Sequence, residues 1–117
     1  MIPLTTQAQF EQLWFGESVR PGTRFLVWFS AKWCGPCQRM DKPDLIAAAT
    51  AAGLPFYYCD ITVNEYTPGY CDVRAFPTFM IFEAGRIVNE KPQSGRIVGV
   101  LTDSNTTTVC RFITGAK

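Results

Sequence analysis

Residues 28–37 read WFSAKWCGPC, and the reading of this stretch decides the fold. An apolar run ends at Ser30, Lys32 and Trp33 follow, and two cysteines, Cys34 and Cys37, flank Gly35-Pro36. Traced upstream, RFLVWFS (24–30) is continuously apolar and rich in aromatics, the pattern of a strand covered on both faces. Traced downstream, a helix-forming stretch runs from about Pro36 to Ala52, alanine-rich at its end and stopped by Gly53. Pro43 lies inside it and is expected to kink it, because proline lacks an N–H and its ring clashes with the preceding turn.

The spacing of the cysteines leaves three readings: a redox centre, half of a metal site, or two small core residues. A cysteine at the start of a helix meets unpaired backbone N–H groups and the positive end of the helix dipole, and both favour thiolate. Such surroundings lower a thiol pKa from about 8.5 into the range of roughly 3.5–7.5, and the thiolate is the species that attacks a disulfide. Cys37, three residues on, is close enough to close a disulfide with Cys34. Cys34 would then attack, a mixed disulfide would form, and Cys37 would resolve it. Pro36 suits a first helical turn, where its missing N–H is no loss. Lys32, Gly35 and Pro36 do not suit a core interior. A four-cysteine metal site would have to recruit from Cys59, Cys71 and Cys110, which contain no second C-x-x-C. An iron–sulfur cluster bridged between two subunits is the remaining metal alternative.

The rest of the chain supplies a frame for this centre. Thr6-x-x-Gln9 fits a capping box and opens a helix that buries Phe10, Leu13 and Trp14. LPFYYCDI (54–61) and TFMIFE (78–83) read as buried strands, and TVNEYTPGYCDV (62–73) as a polar segment holding a short irregular helix. RIVNEKPQSGRIVGVL (86–101) suggests a long hairpin, with Pro92 marking an edge or bulge. The tail from Asp103 or Ser104 to about Thr114 reads as a capped helix burying Val109, Phe112 and Ile113. The order is β-α-β-α-β-α-β-β-α. A strand–helix–strand unit implies a right-handed parallel crossover, and the hairpin adds antiparallel pairing. The expected fold is α/β, one domain over residues 1–117, with a mixed central sheet flanked by helices on both faces.

Composition narrows the function. At 117 residues, 47% hydrophobic and 18% charged, the chain is globular and long enough for one core. A formal charge of +1 gives no field to draw it to nucleic acid or an anionic membrane. There is no apolar run long enough for a transmembrane helix, and MIPLTTQAQFEQ lacks the basic start of a secretory signal. Five cysteines, an odd number, suit a reducing compartment better than a disulfide framework, so a cytoplasmic location is expected. Histidine is absent, which removes every Ser/His or Cys/His nucleophile pair and every His-containing zinc site.

Trp33-Cys34-Gly35-Pro36-Cys37, placed directly after a buried strand, resembles the active-site motif of the thioredoxin family. Phe76-Pro77-Thr78, with Arg74 just before it, resembles the family's cis-proline segment, and Val98-Gly99-Val100-Leu101 its last-strand glycine motif. The similarity covers nearly the whole chain, with a longer final hairpin and Pro43 placed one position late. It implies a thioredoxin fold and a thiol–disulfide oxidoreductase that reduces protein disulfides. Cys34 would be the exposed attacking thiol and Cys37 the buried resolving thiol. Trp33, Gly35, Pro36, Phe76 and Pro77 would line the groove for the partner's disulfide. A cis proline there has no N–H to donate, which leaves the preceding residue's backbone free to pair with an extended peptide.

The resemblance further implies no bound cofactor and no metal beyond the redox-active disulfide Cys34–Cys37. Its partners would be disulfide-containing proteins and a thioredoxin-reductase-like or other dithiol donor. A specialised dithiol donor to a peroxidase, or an assembly subunit that uses the groove only for binding, are the alternatives. A monomer is expected. Cys59 and Cys110 read as buried packing residues, whereas Cys71 follows Tyr70 in a segment expected to be exposed, where it would pack or serve as a regulatory or dimer-forming thiol. Lys32, Arg39, Lys42 and Arg74, opposed by Asp41 and Asp72, would form either a plain solvated face or a mildly positive rim.

Two positions depart from the family pattern. Trp28 stands where members usually bury an aspartate that takes the resolving thiol's proton, and Tyr58 where they usually carry a lysine. Indole donates a hydrogen bond but accepts no proton. The fold is expected to gain stability from losing a buried ionisable group, and Cys37 must pass its proton elsewhere, to a penetrating water or to Asp60.

Overall fold

The computed structural model describes residues 1–116. In chain order the elements are β1 (Ile2–Pro3), α1 (Gln7–Trp14), β2 (Arg24–Ser30), α2 (Gly35–Gln38), α3 (Lys42–Ala52) and β3 (Phe56–Asp60). They continue with α4 (Tyr66–Tyr70), β4 (Thr78–Glu83), β5 (Arg86–Val88), β6 (Lys91–Gln93), β7 (Arg96–Thr102) and α5 (Thr106–Thr114). Five strands form one sheet in the order β1-β3-β2-β4-β7. β2, the apolar run of the opening motif, takes the centre. It pairs parallel with β3, as the strand–helix–strand reading requires, and antiparallel with β4.

Alternation along β2 divides the core in two. Leu26 and Trp28 face the layer that contains Leu45, Ala48 and Ala49 of α3 and Val109 and Ile113 of α5. Phe25, Val27 and Phe29 face the layer of α1, with Phe10 and Leu13. Both sets are fully buried, which is why the strand reads as a continuous apolar run rather than an alternating one. Phe10, Phe25 and Phe82 interlock there, the last two stacked at 5.1 Å between centroids. α1 begins at its expected cap: Thr6 Oγ1 accepts from Gln9 N at 3.1 Å, and the Gln9 side chain accepts in return from Thr5 N.

Four expectations need correction. Pro43 does not kink a long helix, because the chain leaves helical geometry after a single turn of α2 and starts again at α3. Asp41 caps the new start, accepting from Asp44 N at 3.1 Å, and Pro43 sits within the first two positions, where no N–H is needed. Pro92 is a residue of the two-stranded ribbon β5–β6, opposite Ile87, and the irregularity lies elsewhere, between Ile81 and Phe82 of β4 where β7 carries an extra residue, Val98. Asn105, not Asp103 or Ser104, caps α5. Cys71 is buried in the α1 layer rather than exposed. At the foot of the ribbon, Gly85 and Gly95 both donate to Trp14 O, at 2.9 and 2.7 Å, and a Cβ on Gly85 would strike the backbone of the return strand.

Candidate active site

The site is assembled at the end of β2. Beyond Ser30 the chain turns, with Cys34 N donating to Ala31 O at 3.1 Å and the Gln38 side chain bracing the same carbonyl at 3.1 Å. Cys34 becomes the N-cap of α2, and its Sγ accepts from Cys37 N at 3.3 Å. Cys34 and Cys37 are joined as a disulfide with Cα atoms 5.3 Å apart. Because α2 is one turn long, little helix dipole reaches this sulfur; the stabilisation of a thiolate comes from the amide aimed at it. Cys34 is 5% exposed and Cys37 fully buried. The order of accessibility is the expected one, but Cys34 is far from open.

The second strand of the motif arrives from the chain 42 residues away. The Phe76–Pro77 peptide is cis, as expected. Phe76 O lies 3.7 Å from Cys34 Sγ, and the Phe76 ring meets the edge of Trp33 at 5.7 Å. Trp33 is 69% exposed, a large apolar surface held in solvent beside the sulfur. Pro36 is exposed, Pro77 buried, and Gly35 half-buried against the Arg39 guanidinium, where a Cβ would approach to 3.0 Å. Of the rim charges, Arg74 is paired with Asp72 at 3.0 Å, and Lys32, Arg39, Asp41 and Lys42 are exposed.

Beneath the disulfide the aromatic substitution is complete. Trp28 is fully buried, stacked on Phe79 at 5.4 Å and edge-on to Tyr58 at 5.1 Å, with Tyr58 directly opposite it in the sheet. Its Nε1 has no hydrogen-bond partner. The gain from excluding a charge is thus partly offset, since an unmade bond to a buried donor costs about 1–3 kcal/mol. Asp60 is buried opposite Ser30, and its Oδ1 accepts from Thr62 N at 2.9 Å and Thr62 Oγ1 at 2.7 Å. Ser30 escapes notice in the sequence as the tail of an apolar run; the signal is that it is that strand's one hydroxyl. In the fold it is fully buried and its Oγ is without a partner.

The other cysteines are of a different kind. Burial pushes Cys59 up to about 12, with smaller contributions from Cys71 and Asp60, and burial alone pushes Cys71 up to about 12. Neither forms thiolate near neutrality. Cys71, 7% exposed at the end of α4, offers no surface for a dimer contact. Cys110 is half-buried rather than buried; its Sγ lies 3.7 Å from Asp44 O, and its pKa is raised by burial first and then by Asp44 and Asp41. Among the described residues no three His, Cys, Asp or Glu side chains gather to hold a metal ion.

A redox-competent C-x-x-C at the end of a central parallel strand, facing a cis-proline loop, defines a thiol–disulfide oxidoreductase. The thioredoxin family model matches residues 4–104. A thioredoxin of Geodia cydonium is 31% identical over 98 residues, covering 83% of this chain and 89% of that protein. Thioredoxin-3, mitochondrial, of Saccharomyces cerevisiae is 29% identical over 82% of this chain and 67% of its own. The X-ray structure of Fasciola hepatica thioredoxin superposes over the whole of both chains with a TM-score of 0.75 at 29% identity. The chain belongs to the thioredoxin family. It is a protein disulfide reductase with the thioredoxin fold.

Proposed function

We propose that Cys34 is the attacking sulfur and Cys37 the resolving one. The Cys37 amide held 3.3 Å from Cys34 Sγ carries this assignment: it stabilises charge on Cys34 and on no other cysteine. In the reduced protein the Cys34 thiolate attacks one sulfur of a substrate disulfide, and the other leaves as a thiolate that takes a proton from solvent. Cys37, deprotonated, then attacks Cys34 Sγ, expels the second substrate sulfur and closes the Cys34–Cys37 bond. Two electrons pass to the substrate. A thioredoxin-reductase-like enzyme or another dithiol donor returns them, which gives the protein a role in electron transport.

Trp33, Gly35, Pro36, Phe76 and Pro77 form the docking groove, with Trp33 offering apolar area and the Phe76–Pro77 segment offering backbone groups to an extended peptide. The exchange uses no cofactor other than the disulfide itself. The protein works as one domain over residues 1–117, as a monomer, in the cytoplasm. The unpaired cysteines support a reducing compartment, and no described helix is long and apolar enough to cross a membrane. The name of the yeast relative makes the mitochondrion the competing location.

The test is dithiothreitol-driven reduction of insulin disulfides by wild type, Cys34→Ser and Cys37→Ser. Wild type should accelerate precipitation of the insulin B chain, and Cys34→Ser should not. Cys37→Ser should accumulate a mixed disulfide on Cys34 that mass spectrometry locates. A mixed disulfide on Cys37 of the Cys34→Ser protein, formed as fast, would reverse the assignment.

A further inference from the structure

Resting on the reductase reading, one problem of the reaction is unsolved by the residues named so far. Cys37 is fully buried when it must become the nucleophile, so its proton needs an acceptor inside the protein. Trp28, which shares its core layer, offers only an N–H. We propose that the Ser30 hydroxyl carries the Cys37 proton to the carboxylate of Asp60, forming a relay along the end of the sheet.

Three observations place these groups together. Leu26 and Trp28 of β2 face the layer that holds Cys34 and Cys37, and alternation sends Ser30 to the same face. On β3, Phe56 and Tyr58 belong to that layer and Asp60 continues their register, directly opposite Ser30. Neighbouring strands bring opposite Cβ atoms to about 5 Å, within reach of a serine and an aspartate on one face. Second, Ser30 Oγ is fully buried and has no hydrogen-bond partner, an exception among buried hydroxyls that calls for a reason. A hydroxyl both accepts and donates, which is what a relay needs and what indole lacks. Third, Asp60 is used on one side only: Oδ1 accepts both bonds from Thr62, while no side-chain or main-chain donor is assigned to Oδ2.

The step balances. The Cys37 S–H bond breaks and its proton joins Ser30 Oγ, directly or through one internal water, as Ser30's own proton passes to Asp60 Oδ2. Ser30 ends unchanged, Cys37 is a thiolate, and Asp60 is a carboxylic acid at the strand end, where 9% exposure lets it release the proton to solvent. Ser30 and Asp60 are positioning and relay residues; the reacting atoms are the sulfurs. The titratable groups in this layer are Tyr58 and Asp60 on β3, the two cysteines on α2 and Cys110 on α5. Lys32, Arg39, Asp41, Lys42, Asp44 and Arg111 around it are exposed, and Glu83 at the far end of β4 is bound to Arg24 and Arg96. Asp60 is therefore the one carboxylate buried there, and the relay fails as pH falls and Asp60 is protonated.

The experiment compares wild type, Ser30→Ala, Ser30→Thr and Asp60→Asn, with circular dichroism and melting as controls for folding. Stopped-flow kinetics of mixed-disulfide resolution across pH is the first readout, and NMR titration of the reduced proteins with labelled cysteine Cβ is the second. Ser30→Ala and Asp60→Asn should slow resolution at neutral pH by at least about tenfold and recover at alkaline pH, where hydroxide takes the proton. Ser30→Thr, which keeps a hydroxyl, should stay near wild type. The Cys37 resonance should show two inflections in wild type and lose the acidic one in Asp60→Asn. Folded variants with the wild-type rate at every pH, or a single Cys37 inflection in wild type, would overturn the relay. If Ser30→Ala does not fold, Asp60→Asn, which retains the Oδ1 acceptor, decides alone. Failure of wild type to reduce insulin would sink the reductase reading instead, and the titration would still answer for the relay.

Discussion

The molecule holds two pairs of cysteines at nearly equal depth. Cys34 and Cys37, 5% and 0% exposed, lie in the layer of α3 and α5; Cys59 and Cys71, 0% and 7% exposed, lie across the sheet in the layer of α1. Burial does not separate the reactive pair from the inert one. What separates them is the local backbone. Cys34 caps a helical turn and receives the amide of its own partner, whereas Cys59 sits in mid-strand, where every amide is committed to the ladder, and only the desolvation remains. A sulfur becomes a reagent where the chain aims a donor at it, and a packing atom where it does not.

The largest test of this contrast is activity. Cys34→Ser should reduce insulin turnover to the background of the reductant, while Cys59→Ala and Cys71→Ala keep the wild-type rate; loss of activity in either alanine variant, with the fold intact, would break the comparison. Next in size is the aromatic floor beneath the active pair. Trp28→Ala leaves a large hole between Phe79 and Tyr58 and should cost about 3–5 kcal/mol in a urea titration.

A third prediction sharpens the contrast through pH. Cys59 and Cys71 titrate near 9 when unfolded and are pushed up to about 12 when folded. Below pH 9 both states hold the proton and stability is unaffected. Above it the unfolded chain ionises first, so stability is lost progressively between pH 9 and 12. Melting temperature should fall over that window, and fall less steeply in the Cys59→Ala/Cys71→Ala double variant; an equal slope would show that the two thiols are not the cause. The smallest effect concerns the restart of the helix after the active-site turn. Asp41→Ala removes the cap of α3 and should cost about 1 kcal/mol in the same urea titration, leaving reduction of insulin intact.

Much of this was legible in the chain. RFLVWFS, TFMIFE and Thr6-x-x-Gln9 each carry a local pattern whose cause is local, and each became the expected element within a residue. The active-site pair and the cis Phe76–Pro77 bond were legible as motifs. The errors fell where a residue's role depends on what lies across space. Pro43 fits equally well as a kink or as a first-turn residue, and the capping bond from Asp41 to Asp44 N decides it. Cys71 stands among polar neighbours in sequence, yet its side of α4 turns into the core.

The sequence by itself determined which strand is central, where the two reactive sulfurs stand and that no histidine or aspartate assists them from the expected position, because strand period, helix start and residue chemistry are properties of short segments. Only the tertiary structure decided that Phe76 O would meet Cys34, that Trp28 and Tyr58 would close the floor together, and that Ser30 would face Asp60 with an unused hydroxyl. Those pairs come from segments far apart in the chain. Their meeting is fixed by sheet register, and a single-residue slip would turn every one of these side chains to the opposite face.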